Sequence, residues 1–262
     1  MKHALMLLAA VACGAEPVRV AIVSRAAQLV PEAVARFERE HGTGLLEVRI
    51  GDGSEAAGYG EPDGAVFYFG GQEVFRRNAE WVRAMEKRGG RLLASPAENA
   101  ERLTGVRVDR KGSEEMAAYW AAGGVENLTA MLSWLYRYGG GRKEIRVPPV
   151  REQAAAGLVH PRSGTPFHSL EEYLQWERRN GAAPANAPLA GVLVYQTNVK
   201  NRDMAAYDAL ILELERQGMR AVGVYGWPVH TLEPLLRRGE GTPFDVFLAN
   251  NLGFPGAKDA EL

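Results

Sequence analysis

The chain has 262 residues, 46% of them hydrophobic and 24% charged, with 30 glycines and 14 prolines. This is the composition of a globular protein, long enough for one large or two ordinary domains. Thirty-one basic residues stand against 32 acidic ones, so no net field draws in nucleic acid or an anionic membrane, and a nucleic-acid role has no electrostatic support.

Lys2 and His3 precede an apolar run from Ala4 to Cys13, followed by Gly14-Ala15-Glu16-Pro17. A basic start, a short apolar core and small residues before a polar turn describe a signal peptide over residues 1–15, cleaved after Ala12 or Ala15. The run is shorter than the roughly 20 residues of a transmembrane helix. The expected location is exported, periplasmic or membrane-associated; if the segment is instead a buried strand or an uncleaved start, it is cytoplasmic. Cys13 is the only cysteine. Ala10-Val11-Ala12-Cys13 loosely resembles a bacterial lipoprotein box, without the leucine three residues before the cysteine, so membrane contact is expected only if Cys13 is lipidated. Removal of the peptide past Cys13 leaves no thiol and excludes disulfides.

Val18 to Ser24, rich in valine and isoleucine, reads as a first strand. A helix follows, with Pro31 in its first turn and Val34 and Phe37 on its apolar face. Leu45 to Ile50 is a second strand. Ala65 to Phe69, uniformly apolar, suits a third strand covered on both faces. A helix over 74–87 and a short strand over Arg91–Ala94 continue the alternation, which implies a doubly wound parallel sheet. Ser113 to Tyr138 is helical and broken at Gly123-Gly124; Leu128, Met131, Leu132 and Leu135 fall at helical spacing, as in a core-facing helix pair. Arg151 to Val159 suggests a short helix. Ser169 to Arg179 is a clearer one, with Ser169 and Glu172 at capping-box spacing. Asn180 to Pro188 is linker-like.

Gly191 to Tyr195 is a buried strand that runs into a polar loop, then an amphipathic helix closed by Gly218. Ala221–Tyr225 and Asp245–Ala249 are the next two strands. The fold class expected is therefore α/β, with two doubly wound, flavodoxin- or Rossmann-like units: residues 16–141 with the helix pair, a helical connection and linker over 142–188, and a second unit over 189–262. Only three strands fall in that second unit, so the chain is expected to be the N-terminal piece of a longer protein.

Few motifs of known chemistry occur. Gly58-Tyr-Gly60-Glu-Pro-Asp-Gly64 has the wrong spacing for a dinucleotide loop, and Gly139-Gly-Gly-Arg-Lys143 lacks the spacing and the Ser/Thr of a Walker loop. There is no Gly-x-Ser-x-Gly elbow and no His-Glu-x-x-His helix. The candidate substrate-binding residues are instead polar groups at strand ends and loops. His160 and His168 flank a loop, and neutral imidazoles there suit a metal or the axial position of a metallated ring, although no third ligand stands nearby. Tyr195, Asn198, His230, Asn250 and Asn251 follow the carboxyl ends of strands, where open α/β sheets take ligands. Asp203 is expected to cap the helix that follows it, and Asp208 to be a solvated surface carboxylate.

Several segments resemble the cobaltochelatase CobN / magnesium-chelatase H large-subunit family. They are Gly191-Val-Leu-Val-Tyr195 with Tyr207-Asp208-Ala209-Leu210 and Leu214-Glu-Arg-Gln-Gly218; Asn251-Leu-Gly-Phe-Pro-Gly256; Gly123-Gly124-Val-Glu126-Asn127-Leu128; and His160-Pro161 with Leu170-Glu-Glu-Tyr-Leu-Gln-Trp176. They lie in the family's order and cover roughly residues 115 to 262. The resemblance implies a large protein that binds a tetrapyrrole and inserts or removes a divalent metal (Co, Mg or Fe), with ATP hydrolysed only by separate AAA+ partner subunits. The metal-handling residues are then expected largely beyond Leu262, and no catalytic residue is assigned here. Export departs from the cytoplasmic enzymes of the family and resembles relatives associated with haem uptake. Three readings follow: an exported chelatase-like subunit acting on a tetrapyrrole, a cytoplasmic cobalt or magnesium chelatase subunit working with ATPase partners, and a non-catalytic periplasmic ligand-binding protein.

Overall fold

The computed structural model describes residues 16–54, 56–68, 71–140, 144–181, 183–237 and 241–249. The expected export segment, Cys13, Asn250 and Asn251 lie outside the described residues. The chain divides into two compact units, residues 1–117 with 129–148, and residues 118–128 with 149–262.

The first unit begins with β1 (Val18–Val23), α1 (Val30–His41), β2 (Leu46–Gly51), β3 (Gly64–Tyr68), α2 (Gln72–Lys87), β4 (Arg91–Ser95) and α3 (Ala97–Thr104). Its four strands are parallel in the order β2-β1-β3-β4. Alternate residues of each strand face opposite sides. Ala21, Val23, Phe67 and Ala94 pack with Phe75, Val82 and Met85 of α2 and Ala100 of α3. Each large apolar side chain fully buried in this way contributes about 1.5–3 kcal/mol. Val20, Ile22, Val66 and Leu93 point the other way and are also buried. There α5 (Gly124–Gly140), which follows α4 (Arg110–Ala122), lines a small cavity with Val20, Val66 and Leu93 through Leu135 and Tyr138. Tyr136 of α5 packs against Phe37 of α1 at 6.1 Å between ring centroids, so helices cover both faces as the continuous apolar strands require.

Local chemistry explains the joints. Pro31 and Glu32 start α1, and Arg39 and His41 end it, complementing the helix dipole. Gly53 takes φ +83°, and a side chain there would meet Val74 and Val23. Its carbonyl accepts from the buried Asn78 Nδ2 at 2.9 Å. Gly123 and Gly124, both at positive φ, separate α4 from α5, where sequence spacing put the break. α3 was not anticipated: at eight residues it is too short a window for its amphipathic pattern to stand out from the sequence.

The second unit contains β5 (Ala156–Val159), α6 (Leu170–Asn180), β6 (Leu189–Val194), α7 (Gln196–Asn201), α8 (Ala205–Arg216), β7 (Arg220–Gly226), α9 (Glu233–Leu236) and β8 (Val246–Leu248). The sheet order is β5-β7-β6-β8, with β5 antiparallel to β7 and the other pairs parallel. Tyr173 of α6 packs with Leu158, Val222 and Val224 on one face, and Ile211 of α8 with Ala190, Val192 and Ala221 on the other. Among the described residues no helix is long and apolar enough to cross a membrane.

The expected helix over Arg151–Val159 is corrected: its end is strand β5. Alanine-rich composition favours a helix, but Leu158 exchanges main-chain hydrogen bonds with Phe167, both at 2.8 Å, and Gly157 leaves room for the Tyr225 hydroxyl. Tertiary pairing overrides propensity here. Thus β5 and α6, from the stretch expected to connect two units, are parts of the second unit. The polar stretch after β6 is also corrected, because it forms the short helix α7. Ser169 caps α6 as expected: its Oγ accepts from Glu172 N at 3.1 Å, while Glu172 Oε2 accepts from His168 N at 2.8 Å.

Candidate functional site at the second sheet

β6 and β7 pair in register with Val194 opposite Tyr225, so Tyr195 and Trp227 leave the sheet at the same carboxyl edge. β8, with Leu248 opposite Val192, ends there too. Tyr195 is 46% exposed and Trp227 60%, unusual for aromatic groups of this size. The edge is pinned from below: Gln196 Nε2 donates to the Ala155 carbonyl at 2.9 Å, and Trp227 N donates to the same oxygen at 3.1 Å. Asn198 lies in α7, where its Nδ2 donates to the Asp203 carbonyl at 3.0 Å and stabilises the turn into α8. His230 is exposed in a 3-10 turn over Val229–Leu232. Trp227 was missed as a candidate; its signal was a bulky apolar residue between Gly226 and Pro228 at a strand end.

Asp203 does not cap α8. Met204 holds the cap position without a side-chain bond, and the Asp203 carboxylate faces Asn198 Nδ2 at 3.4 Å. Asp208 is half-buried rather than a solvated surface group, and burial raises its carboxyl above the usual range.

His160 belongs to a different place. Val159 pairs with Gly223 in the middle of β7, and β5 runs antiparallel, so the chain leaves β5 towards the amino ends of β6 and β7. The His160 side chain is wholly buried there. Its Nδ1 accepts from Arg162 N at 3.2 Å, which puts the ring proton on Nε2, 3.1 Å from Glu215 Oε1. Arg162 Nη2 donates to that oxygen at 2.6 Å. Glu215 Oε2 is buried without a hydrogen-bond partner among the described residues. Trp176 lies against the imidazole at 4.9 Å between centroids. Burial pushes the His160 pKa down and outweighs the Glu215 charge that raises it. Both ring nitrogens are therefore engaged and the neutral form is favoured. His168 is exposed, so the two loop histidines are divided between interior and solvent. A second buried pair lies beyond them: Arg220 meets Glu177 through two bonds of 3.1 and 3.0 Å. Among the described residues no three His, Cys, Asp or Glu side chains converge as a metal centre would need.

Two α/β units, the second with exposed aromatic groups at the carboxyl edge of its sheet, define the fold class. Residues 117–246 match the CobN/Magnesium Chelatase family, and over this stretch the chain belongs to that family. The magnesium-chelatase subunit ChlH, chloroplastic, of Oryza sativa subsp. indica is 28% identical over 75 residues, 27% of this chain and 5% of the relative. Its counterpart in Oryza sativa subsp. japonica matches equally. The solved catalytic subunit of cobaltochelatase from Mycobacterium tuberculosis is similar over 84% of this chain, at 16% identity and a TM-score of 0.43, and 18% of that chain is covered. The chain thus spans a small part of the length of the relatives it matches.

Proposed function

We propose that this chain is the portion of an exported chelatase-like large subunit that holds a tetrapyrrole while a divalent metal is inserted or removed. The family match over 117–246 supports the class. The observation that carries the reading is the aromatic edge, where Tyr195 and Trp227 expose 46% and 60% of their surface. Flat apolar faces suit a flat macrocycle, and each aromatic stack adds about 0.5–1.5 kcal/mol beyond area burial. Ring and metal are both substrates in this reading, and any ATP is consumed by separate partner subunits. The signal-peptide pattern of residues 1–15 favours an exported form, for which haem is the natural ring.

The test is a titration of the full chain with haem and with metal-free porphyrin, followed by absorbance. A shifted Soret band is expected, and Trp227→Ala weakens binding about 2- to 10-fold, the loss of one stack. No spectral change with either ring overturns the reading. N-terminal sequencing of the purified protein decides location: a start at Cys13 or Glu16 supports export, and a retained Met1 favours the cytoplasmic chelatase.

A further inference from the structure

A cleft of about 260 Å³ opens in the second unit between the loop from His160 to Pro166 and the junction of α7 with α8. Val159, Pro161, Pro166, Val199 and Met204 give it apolar walls, and Asp208 adds a carboxylate. Asp208 is half-buried, one turn into α8, and its side chain has no hydrogen bond or ion pair among the described residues. An unpaired carboxylate on an apolar wall is costly unless something compensates it.

The cleft is poor in free donors. Arg162 N donates to His160 Nδ1 at 3.2 Å, Ser163 N to the His160 carbonyl at 2.9 Å, and Thr165 N to Ser163 Oγ at 3.4 Å. The Ser163 hydroxyl donates to the Thr165 carbonyl at 2.6 Å. On the other wall Asp208 N donates to the Met204 carbonyl at 2.8 Å. Pro161 and Pro166 have no N–H to offer. Arg202 also lines the cleft and has a partner of its own. Gly164, Thr165 and Arg202 of the lining are exposed to solvent, so the half-buried charged group left for a ligand is one carboxylate beside apolar carbon.

We infer that this cleft binds a small organic ammonium, whose N–H groups donate to Asp208 while the apolar walls cover its alkyl body. An anion would meet Asp208 with like charge. A hard divalent cation takes six or more oxygens, usually with several carboxylates, and here there is one. The cleft lies just below the size of ordinary ligand pockets, about 300 Å³ and upward, which suits a short amine and not a tetrapyrrole. The inference is therefore independent of the ring-binding edge.

Calorimetric titration of the full chain with n-butylammonium, n-butanol and Mg²⁺ tests it, with thermal melts to check folding. Butylammonium is expected to bind, butanol and Mg²⁺ not, and Asp208→Asn to weaken butylammonium about tenfold or more, as loss of a charged hydrogen bond of about 1.5–3 kcal/mol implies. Val199→Trp, which fills the cleft and leaves the carboxylate, is expected to abolish binding. The inference is overturned if butylammonium does not bind, if butanol or Mg²⁺ binds as well or better, or if a folded variant binds as the wild type does.

Discussion

His160 donates from Nε2 to the buried Glu215 carboxylate across 3.1 Å. That bond ties the loop after β5 to the last turn of α8, two segments 55 residues apart in sequence. Arg162 closes the arrangement twice, through its main-chain N–H on His160 and its guanidinium on Glu215.

Acid should loosen this latch. Burial lowers the His160 pKa in the folded protein, whereas the unfolded chain titrates near the ordinary value of about 6.5. As pH falls, the unfolded chain takes up the proton first, so this stability is complete above about pH 6.5 and declines below it. The groups facing the ring, Glu215, Arg162 and Glu177, leave burial dominant. Urea unfolding from pH 7.5 to pH 5 is expected to show a falling midpoint, and a shallower fall in His160→Gln. Identical slopes in the two proteins would refute the assignment.

Glu177 and Arg220, with side chains 4% and 14% exposed, form a two-bonded pair between α6 and β7. Removal of one member leaves a buried charge without its partner, at a cost of about 3–5 kcal/mol. Arg220→Met is expected to lower the melting temperature sharply. Glu177→Leu combined with Arg220→Met should recover much of that loss, because the pair itself carries a large desolvation penalty. If the double variant melts no higher than the single one, the pair is not an isolated unit.

Two glycines of the same sheet should respond differently to alanine. A Cβ on Gly223 would lie 2.8 Å from Val159 Cγ2 and 3.3 Å from the Val159 carbonyl, and neither can swing away from a paired strand. Gly223→Ala is expected to cost about 1–3 kcal/mol by overpacking. At Gly191 the nearest atoms, 2.6 and 2.8 Å away, belong to the side chain of Phe247, which is 38% exposed, and the next, at 3.0 Å, to the edge of the Phe244 ring; all are side-chain atoms, with no backbone among them. Gly191→Ala should cost less. Denaturation of the two variants side by side checks the order, and a reversed ranking contradicts it.

The strands were legible because each is a short, largely apolar run with a glycine or proline near its start: Val18–Val23, Leu189–Val194 and Arg220–Gly226 were found within a residue or two. The Gly123-Gly124 break and the Ser169 cap were legible because their chemistry is local. β5 was not, since Gly157 and Leu158 become a strand only beside Tyr225 and Val224. Candidate site residues divided the same way. Tyr195 and His230 could be placed after strand ends from the pattern alone, whereas Trp227 stands out only by its exposure, and Asp208 only by its burial.

Sequence by itself determined the α/β class, the parallel strands and the family resemblance, since all three rest on apolar periodicity and short runs of neighbouring residues. Only the tertiary structure decided that β5 runs antiparallel, that His160 turns inward to Glu215 while His168 faces solvent, and that Asp208 is left unpaired among the described residues. Those outcomes depend on which distant groups meet and how much water reaches them, and an ionisable side chain carries no local mark of either.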